Sequence, residues 1–83
     1  MTDLDPADLR RRFGLRLASL RKELGWSQEQ LSLASGVARS YLGGVERGRH
    51  NIALVNICKL AHTLGVKPYV LMDFDAELQP LRR

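Results

Sequence analysis

The chain has 83 residues, of which 45% are hydrophobic and 27% charged, with a net charge of +4. This composition is typical of a globular protein, and the length predicts one domain over residues 1–83. There is no apolar run that could span a membrane, no signal-peptide core and no second cysteine to pair with Cys58. We therefore expect a cytoplasmic protein without disulfides.

The positive charge is concentrated in the middle of the chain. Residues 10–49 carry nine basic and three acidic side chains, whereas the two flanks together carry four basic and six acidic ones. Two interpretations fit this distribution: an anionic partner, of which nucleic acid is the commonest, or an ordinary solvated basic surface.

The first helix is predicted from Asp5, which suits an N-cap, with Pro6 at the first helical position. Gly25 is placed to end this helix. One face of the helix is apolar, formed by Leu9, Phe13, Leu17, Leu20 and Leu24.

The second helix follows at once, because Ser27 and Gln30 form a capping-box pattern. It should end at Gly36, where a left-handed turn residue is cheapest. Trp26 precedes this helix and has two interpretations: a ring packed on the core, or an exposed ring that stacks on a ligand.

A third helix is predicted from Val37 or Ala38 to a point before Gly48. Its interior would contain Gly43 and Gly44, each of which costs a helix about 1 kcal/mol relative to alanine. The alternative is a shorter helix that ends before Gly43. The inward residues would be Val37, Tyr41 or Leu42, and Val45.

Two further helices complete an all-α, five-helix prediction. The fourth spans Leu54–Leu64, and a short fifth follows Pro68, while residues from about 76 to 83 should form a frayed tail. The inward residues of the fourth helix would be Leu54, Ile57, Leu60, Ala61 and Leu64.

The very short turn at Gly36 predicts a helix-turn-helix over about residues 28–47. The segment SQEQLSLASGVARSYLGGVERGRHN resembles the DNA-binding domain of the lambda repressor and Cro type, the XRE family. The motifs LRKELGWSQEQL, SYLGGVERG and LAHTLGV extend this resemblance over roughly residues 9–72. The chain is most similar to stand-alone regulators, including restriction–modification controller proteins. It departs from the family pattern at Ser32, where alanine is usual, and at Ile52, where many members have proline.

The resemblance implies that the third helix, about residues 38–47, enters the major groove of double-stranded DNA. Arg39 could then bond both O6 and N7 of guanine, with Ser40 as a weaker reader. Gly43 and Gly44 would face the DNA and allow the helix to approach the bases closely. The alternative for Arg39 is a solvated arginine on the helix surface.

Contacts to the DNA backbone are expected around the rim of the motif, where they set register rather than sequence choice. The candidates are Ser27, Gln28, Tyr41, Arg47, Arg49 and Asn51. Arg10, Arg11 and Arg12 either reach the backbone as well or only solvate the first helix.

Glu46 is the acid of the SYLGGVERG motif. In the family, the matching glutamate pairs with an arginine of the first helix, which here resembles Arg21. This pair would tie the third helix to the scaffold, whereas the alternative is an exposed acid.

One unit of this size buries too little surface for strong specificity, so we expect a homodimer on a two-fold symmetric operator. The expected dimer surface is the C-terminal apolar segment, unless these residues pack internally. Its members are Tyr69, Val70, Leu71, Met72 and Phe74.

The remaining chemistry-bearing residues do not form a site. His50, His62 and Cys58 lack metal-ligand spacing, and no catalytic pattern, cofactor motif or effector domain is present in the sequence. We therefore predict a transcriptional regulator rather than an enzyme, with no cofactor and no metal. Two alternative functions stay open: a protein-interaction module, such as an antitoxin-like partner, and a protein that coats DNA without regard to sequence.

Overall fold

Five helices and their connecting turns make up the computed structural model, which describes residues 4–74. The helices are α1 (Pro6–Glu23), α2 (Gln28–Ser35), α3 (Arg39–Glu46), α4 (Leu54–Leu64) and α5 (Pro68–Leu71). The described residues contain no strand, and the all-α, five-helix prediction is confirmed. The predicted frayed tail lies outside the described residues.

The ends of α1 and α2 are set by the side chains that the sequence indicated. Asp5 Oδ1 accepts from the N–H of Ala7 at 3.1 Å. At α2, Ser27 Oγ accepts from the N–H of Gln30 at 3.0 Å, and Gln30 Oε1 accepts from the N–H of Ser27 at 2.9 Å. This reciprocal pair satisfies two backbone donors that the helix itself leaves free. Gly36 then ends α2 with a φ of +81°.

The third helix runs through both glycines and ends at Glu46, with Arg47 as its C-cap. The alternative of a helix that stops before Gly43 is therefore wrong. Neither glycine has a positive φ, so the backbone conformation does not require glycine at either position.

The core lies where the helices meet. Helix α1 packs against α3 and α5, while α2 packs against α3 and α4. Trp26 is half-buried and packs on this core, which favours the packing interpretation of its ring. The buried apolar residues are Phe13, Leu17, Leu20, Leu31, Val37, Leu42, Val45, Ile57, Leu60, Ala61, Leu64 and Leu71.

Two leucines expected to face inward are exposed instead. Leu54 is 73% exposed. At 100° per residue its side chain points about 70° away from the mean direction of the buried residues of α4. Leu24 is 44% exposed, because α1 ends at Glu23 and Leu24 is its C-cap.

A third correction concerns Leu71, which was predicted to lie in a dimer surface. Its side chain is fully buried in the core of this chain, so it has no surface to offer a second copy. Helix α5 has four residues, and the one whose side chain is buried is Leu71. Arg16 Nε fixes α5 to α1 by donating to the carbonyl oxygen of Val70 at 2.9 Å.

Candidate nucleic-acid interface

The turn between α2 and α3 is held by two serines of α2. Ser32 Oγ donates to the carbonyl oxygen of Val37 at 2.6 Å, and Ser35 Oγ accepts from the N–H of Val37 at 3.1 Å. Both bonds satisfy backbone groups that no helix uses. The serine at position 32, a departure from the XRE pattern, therefore has a structural role in this turn.

Helix α3 is fixed to α1 by a buried ion pair. Arg21 Nε and Nη2 donate to Glu46 Oε2 and Oε1 at 2.6 and 2.9 Å. The side chains of Arg21 and Glu46 are only 8% and 6% exposed. Arg21 Nη1 also donates to the carbonyl oxygen of Trp26 at 2.9 Å. The structure thus brings together the two residues that the family resemblance paired, in a two-bond geometry that fixes orientation as well as distance.

The protonation of Arg21 is secured by this partner. The hydrogen bond to Glu46 raises the pKa of Arg21 above its ordinary value, and burial acts in the opposite direction with a smaller effect. The Arg21 guanidinium is therefore charged at neutral pH in spite of its burial.

Gln28 extends the pair to α2. Its Nε2 donates to Glu46 Oε1 at 2.8 Å, so Glu46 joins the first, second and third helices. Gln28 was predicted only as a contact to the DNA backbone, but its amide group is bonded within the protein. No local pattern in the sequence indicates this bond, because Gln28 and Glu46 stand at the ends of α2 and α3 that are remote from the turn.

The polar residues at the start of α3 are free to contact a ligand. Arg39 and Ser40 occupy the first two positions of the helix and are both exposed. Arg47, Arg49 and Asn51 are also exposed, at the far end of α3 and in the loop that follows.

The other two backbone-contact candidates are already engaged. Ser27 is exposed, although its Oγ is used in the α2 cap. The ring of Tyr41 is half-buried and stacks on the His50 imidazole, with centroids 5.0 Å apart and planes 15° apart.

The two glycines of α3 are buried, contrary to the expectation that both face outward. A Cβ at Gly44 would overlap Cδ2 and Nε2 of His50, so this face is covered by the imidazole. A Cβ at Gly43 would lie 3.2 Å from Arg47 Nη1 and 3.7 Å from Gln28 Oε1. Gly44 therefore cannot offer a bare backbone to DNA while His50 lies on it, and the surface over Gly43 is formed by two polar side chains.

A glycine that the sequence analysis did not single out sets the distance between α1 and α3. A Cβ at Gly14 would overlap the carbonyl oxygen of Val45 and lie 2.6 Å from that of Glu46. Only glycine permits this approach of the two backbones, which places Arg21 within reach of Glu46. The apolar periodicity of α1 gave no sign of this, because Gly14 lies between core positions.

Two kinds of feature are missing from residues 4–74. No helix there is long and apolar enough to cross a bilayer. That part of the chain also has no cluster of three or more His, Cys, Asp or Glu side chains that could hold a metal ion.

Comparisons of the sequence and of the structure with known proteins point to the same family. A helix-turn-helix family model matches residues 17–71. The crystal structure of the restriction-modification controller protein C.AhdI from Aeromonas hydrophila is similar with a TM-score of 0.74 and 55% identity, covering 78% of this chain and 97% of that one. A hypothetical transcription factor of Neisseria meningitidis is 46% identical over 68 residues, or 82% of this chain. The match spans 64% of that protein's length.

A third similar structure is that of the biofilm master regulator SinR in complex with DNA. It has a TM-score of 0.70 and 35% identity, and the match covers 74% of this chain and 98% of that one. The family match over residues 17–71 and these relatives show that the chain belongs to the XRE-type helix-turn-helix family of DNA-binding transcription regulators.

Proposed function

We propose that the protein binds a two-fold symmetric operator as a homodimer, with α3 in the major groove of each half-site. The observation that carries this proposal is the contrast within α3: its first two residues, Arg39 and Ser40, are exposed, while its last, Glu46, is buried in an ion pair. Such a helix presents polar side chains at a fixed angle, which is the geometry that base reading needs.

Arg39 reads sequence in this proposal. A guanidinium can donate two hydrogen bonds to O6 and N7 of one guanine, and a good bidentate contact discriminates against the wrong base by about 1–3 kcal/mol. Ser40 supplies a single hydroxyl beside it. Gly44 has no part in base reading, because the His50 ring covers it.

Contacts to phosphate come from the rim. Arg47, Arg49 and Asn51 are exposed beyond the end of α3, and Ser27 lies at the start of α2. Tyr41 adds a hydroxyl from a half-buried ring. Gln28 contributes mainly by holding Glu46 and thereby the angle between α2 and α3. These contacts give affinity that falls with salt, independent of sequence.

The dimer surface is centred on the exposed side chains at the C-terminal end of the described residues. Tyr69 is 72% and Met72 45% exposed, while Val70 and Phe74 are half-buried and contribute their outer edges. Exposed aromatic and methionine side chains are typical of interface cores. The two recognition helices would then lie about 34 Å apart, one turn of DNA.

Selection of duplexes from a random DNA pool by the purified protein tests the proposal. Enrichment of a two-fold symmetric site, with half-sites about one helical turn apart, is expected. Enrichment of a single asymmetric half-site would contradict the dimer. Salt-sensitive retention without any enriched sequence would contradict base reading, and no retention at all would favour the protein-interaction alternative.

A further inference from the structure

The loop after α3 places an aromatic ring back onto that helix. His50 lies two residues beyond Gly48, whose φ of +79° reverses the chain direction. The imidazole stacks on the ring of Tyr41 with nearly parallel planes, 15° apart, and a centroid distance of 5.0 Å. An aromatic pair at this distance is attractive beyond the area that it buries.

Gly44 is what allows His50 to lie there. Tyr41 and Gly44 are three residues apart in α3 and so share one face of the helix. The atoms that a Cβ at Gly44 would overlap are all in the His50 ring, and none belongs to the backbone. The imidazole therefore occupies the volume that any other residue at this position would fill.

The presence of glycine at position 44 otherwise has no cause in the described structure. Its φ is not in the left-handed region, so any residue could adopt its backbone conformation. A glycine inside a helix is less favourable than alanine. The contact with His50 is the feature that distinguishes this position from an ordinary site on the surface of α3.

We propose that His50 is a positioning residue for DNA binding, which acts by holding the ring of Tyr41, and that Gly44 serves to admit it. This inference rests on the proposed function. The Tyr41 hydroxyl makes no hydrogen bond to any residue in the range 4–74. The ring packs partly against the core, and the stack on His50 is its aromatic contact within that range. A tyrosine held in place before binding loses less conformational entropy when its hydroxyl meets a phosphate.

Four variants test this role: His50→Ala, His50→Phe, Gly44→Ala and the double variant Gly44→Ala/His50→Ala. His62→Ala, which removes the exposed histidine of α4, is the matched control. Two quantities are measured for each protein: the Tyr41 ring-proton chemical shifts in the free protein, and the dissociation constant for the selected duplex. The first readout requires no DNA and reports the stack directly.

We expect His50→Ala and Gly44→Ala to abolish the ring-current shift of Tyr41 and to weaken operator binding several-fold, up to about tenfold, as for the cost of immobilising one side chain on binding. His50→Phe keeps a stacked ring and should restore both values to near those of the wild type. The double variant should bind no more weakly than His50→Ala alone, because Gly44 then has no ring to admit.

Other outcomes would contradict the roles proposed for His50 and Gly44. His50→Phe that binds as poorly as His50→Ala would show that the imidazole acts through its own polar atoms. A double variant weaker than His50→Ala would show that Gly44 faces the DNA itself. If wild type binds the duplex and His50→Ala binds it equally well, the positioning role of His50 is wrong and the proposed function stands. If wild type binds no duplex, the proposed function is wrong, and the positioning role is wrong as well.

Discussion

Helices α3 and α5 both bury apolar side chains, but they differ in their polar bonds to the rest of the fold. Helix α3 buries Leu42 and Val45 and is also attached to α1 and α2 by a set of directional polar bonds centred on Glu46. Helix α5 is attached by the burial of Leu71 and by one hydrogen bond from Arg16. Directional bonds fix an angle, whereas apolar burial is non-directional and roughly proportional to area.

This difference matches the two tasks proposed for these regions. A helix that reads bases must be held at one angle, because hydrogen bonds to base edges tolerate little misalignment. A surface that meets a second copy of the chain needs exposed apolar area, and Tyr69 and Met72 leave such area uncovered.

Glu46→Ala should give the largest loss of stability. It leaves Arg21 charged, buried and without its carboxylate, which typically costs about 3–5 kcal/mol of unfolding free energy. Denaturant unfolding measures this loss, and Glu46→Gln, which keeps the shape and one acceptor, should lose less. Glu23→Ala, at an exposed acid near the end of α1, is the control and should stay within about 0.5 kcal/mol of wild type. Equal losses for Glu46 and Glu23 would contradict the anchoring role.

Gly14→Ala should give the next largest effect. The added methyl group meets the backbone carbonyls of Val45 and Glu46, which cannot move aside as a side chain can. Overpacking of this kind costs about 1–3 kcal/mol despite the better helix propensity of alanine. Gly44→Ala is the matched comparison, since its methyl group meets only the His50 ring, and it should retain wild-type stability or exceed it. Thermal unfolding of both variants measures the difference. A lower melting temperature for Gly44→Ala than for Gly14→Ala would contradict these roles of the two glycines.

Tyr69→Asp tests the second region. A charge at the centre of the proposed dimer surface should raise the dimer dissociation constant at least about tenfold without unfolding the monomer. Sedimentation equilibrium measures the constant, and Leu33→Asp, at an apolar side chain of α2 that is 79% exposed, controls for the added charge. A dimer that tolerates Tyr69→Asp as well as Leu33→Asp would place the interface elsewhere.

The smallest effect is expected at the start of α1. Hydrogen bonds from Arg12, and then from Arg11, hold the pKa of Asp8 below its ordinary value. A lowered pKa means that the carboxylate stabilises the folded state above about pH 4, the unfolded value, and that this contribution is lost as the pH falls through the folded value. In Asp8→Asn the free energy of unfolding, measured by denaturant unfolding at several pH values, should therefore fall less steeply as the pH decreases below about 4. An acid limb as steep in Asp8→Asn as in wild type would contradict this contribution.

Much of the fold could be predicted because its signals are local. Asp5, the Ser27–Gln30 box and Gly36 mark helix ends through bonds within a few residues, and all three act as expected. The Arg21–Glu46 pair came from family resemblance, since no local pattern joins residues 25 positions apart.

The rest depends on contacts between elements, which the sequence does not display. Gly44 and Leu71 were both predicted to be outward-facing, but one lies under His50 and the other in the core. Helical spacing alone cannot show which neighbour covers a face. The roles of Ser32, in the turn, and of Gln28, at Glu46, likewise appear only when the helices are placed in space.

The most direct test of base reading by α3 compares wild type with Arg39→Ala. Dissociation constants would be measured for the selected duplex and for duplexes with each base pair changed in turn. We predict that Arg39→Ala loses about 10- to 100-fold in affinity per half-site for the selected duplex and no longer distinguishes the bases at one guanine-containing pair. An equal loss on every duplex, with the base preferences unchanged, would contradict the account by showing that Arg39 contacts only the DNA backbone.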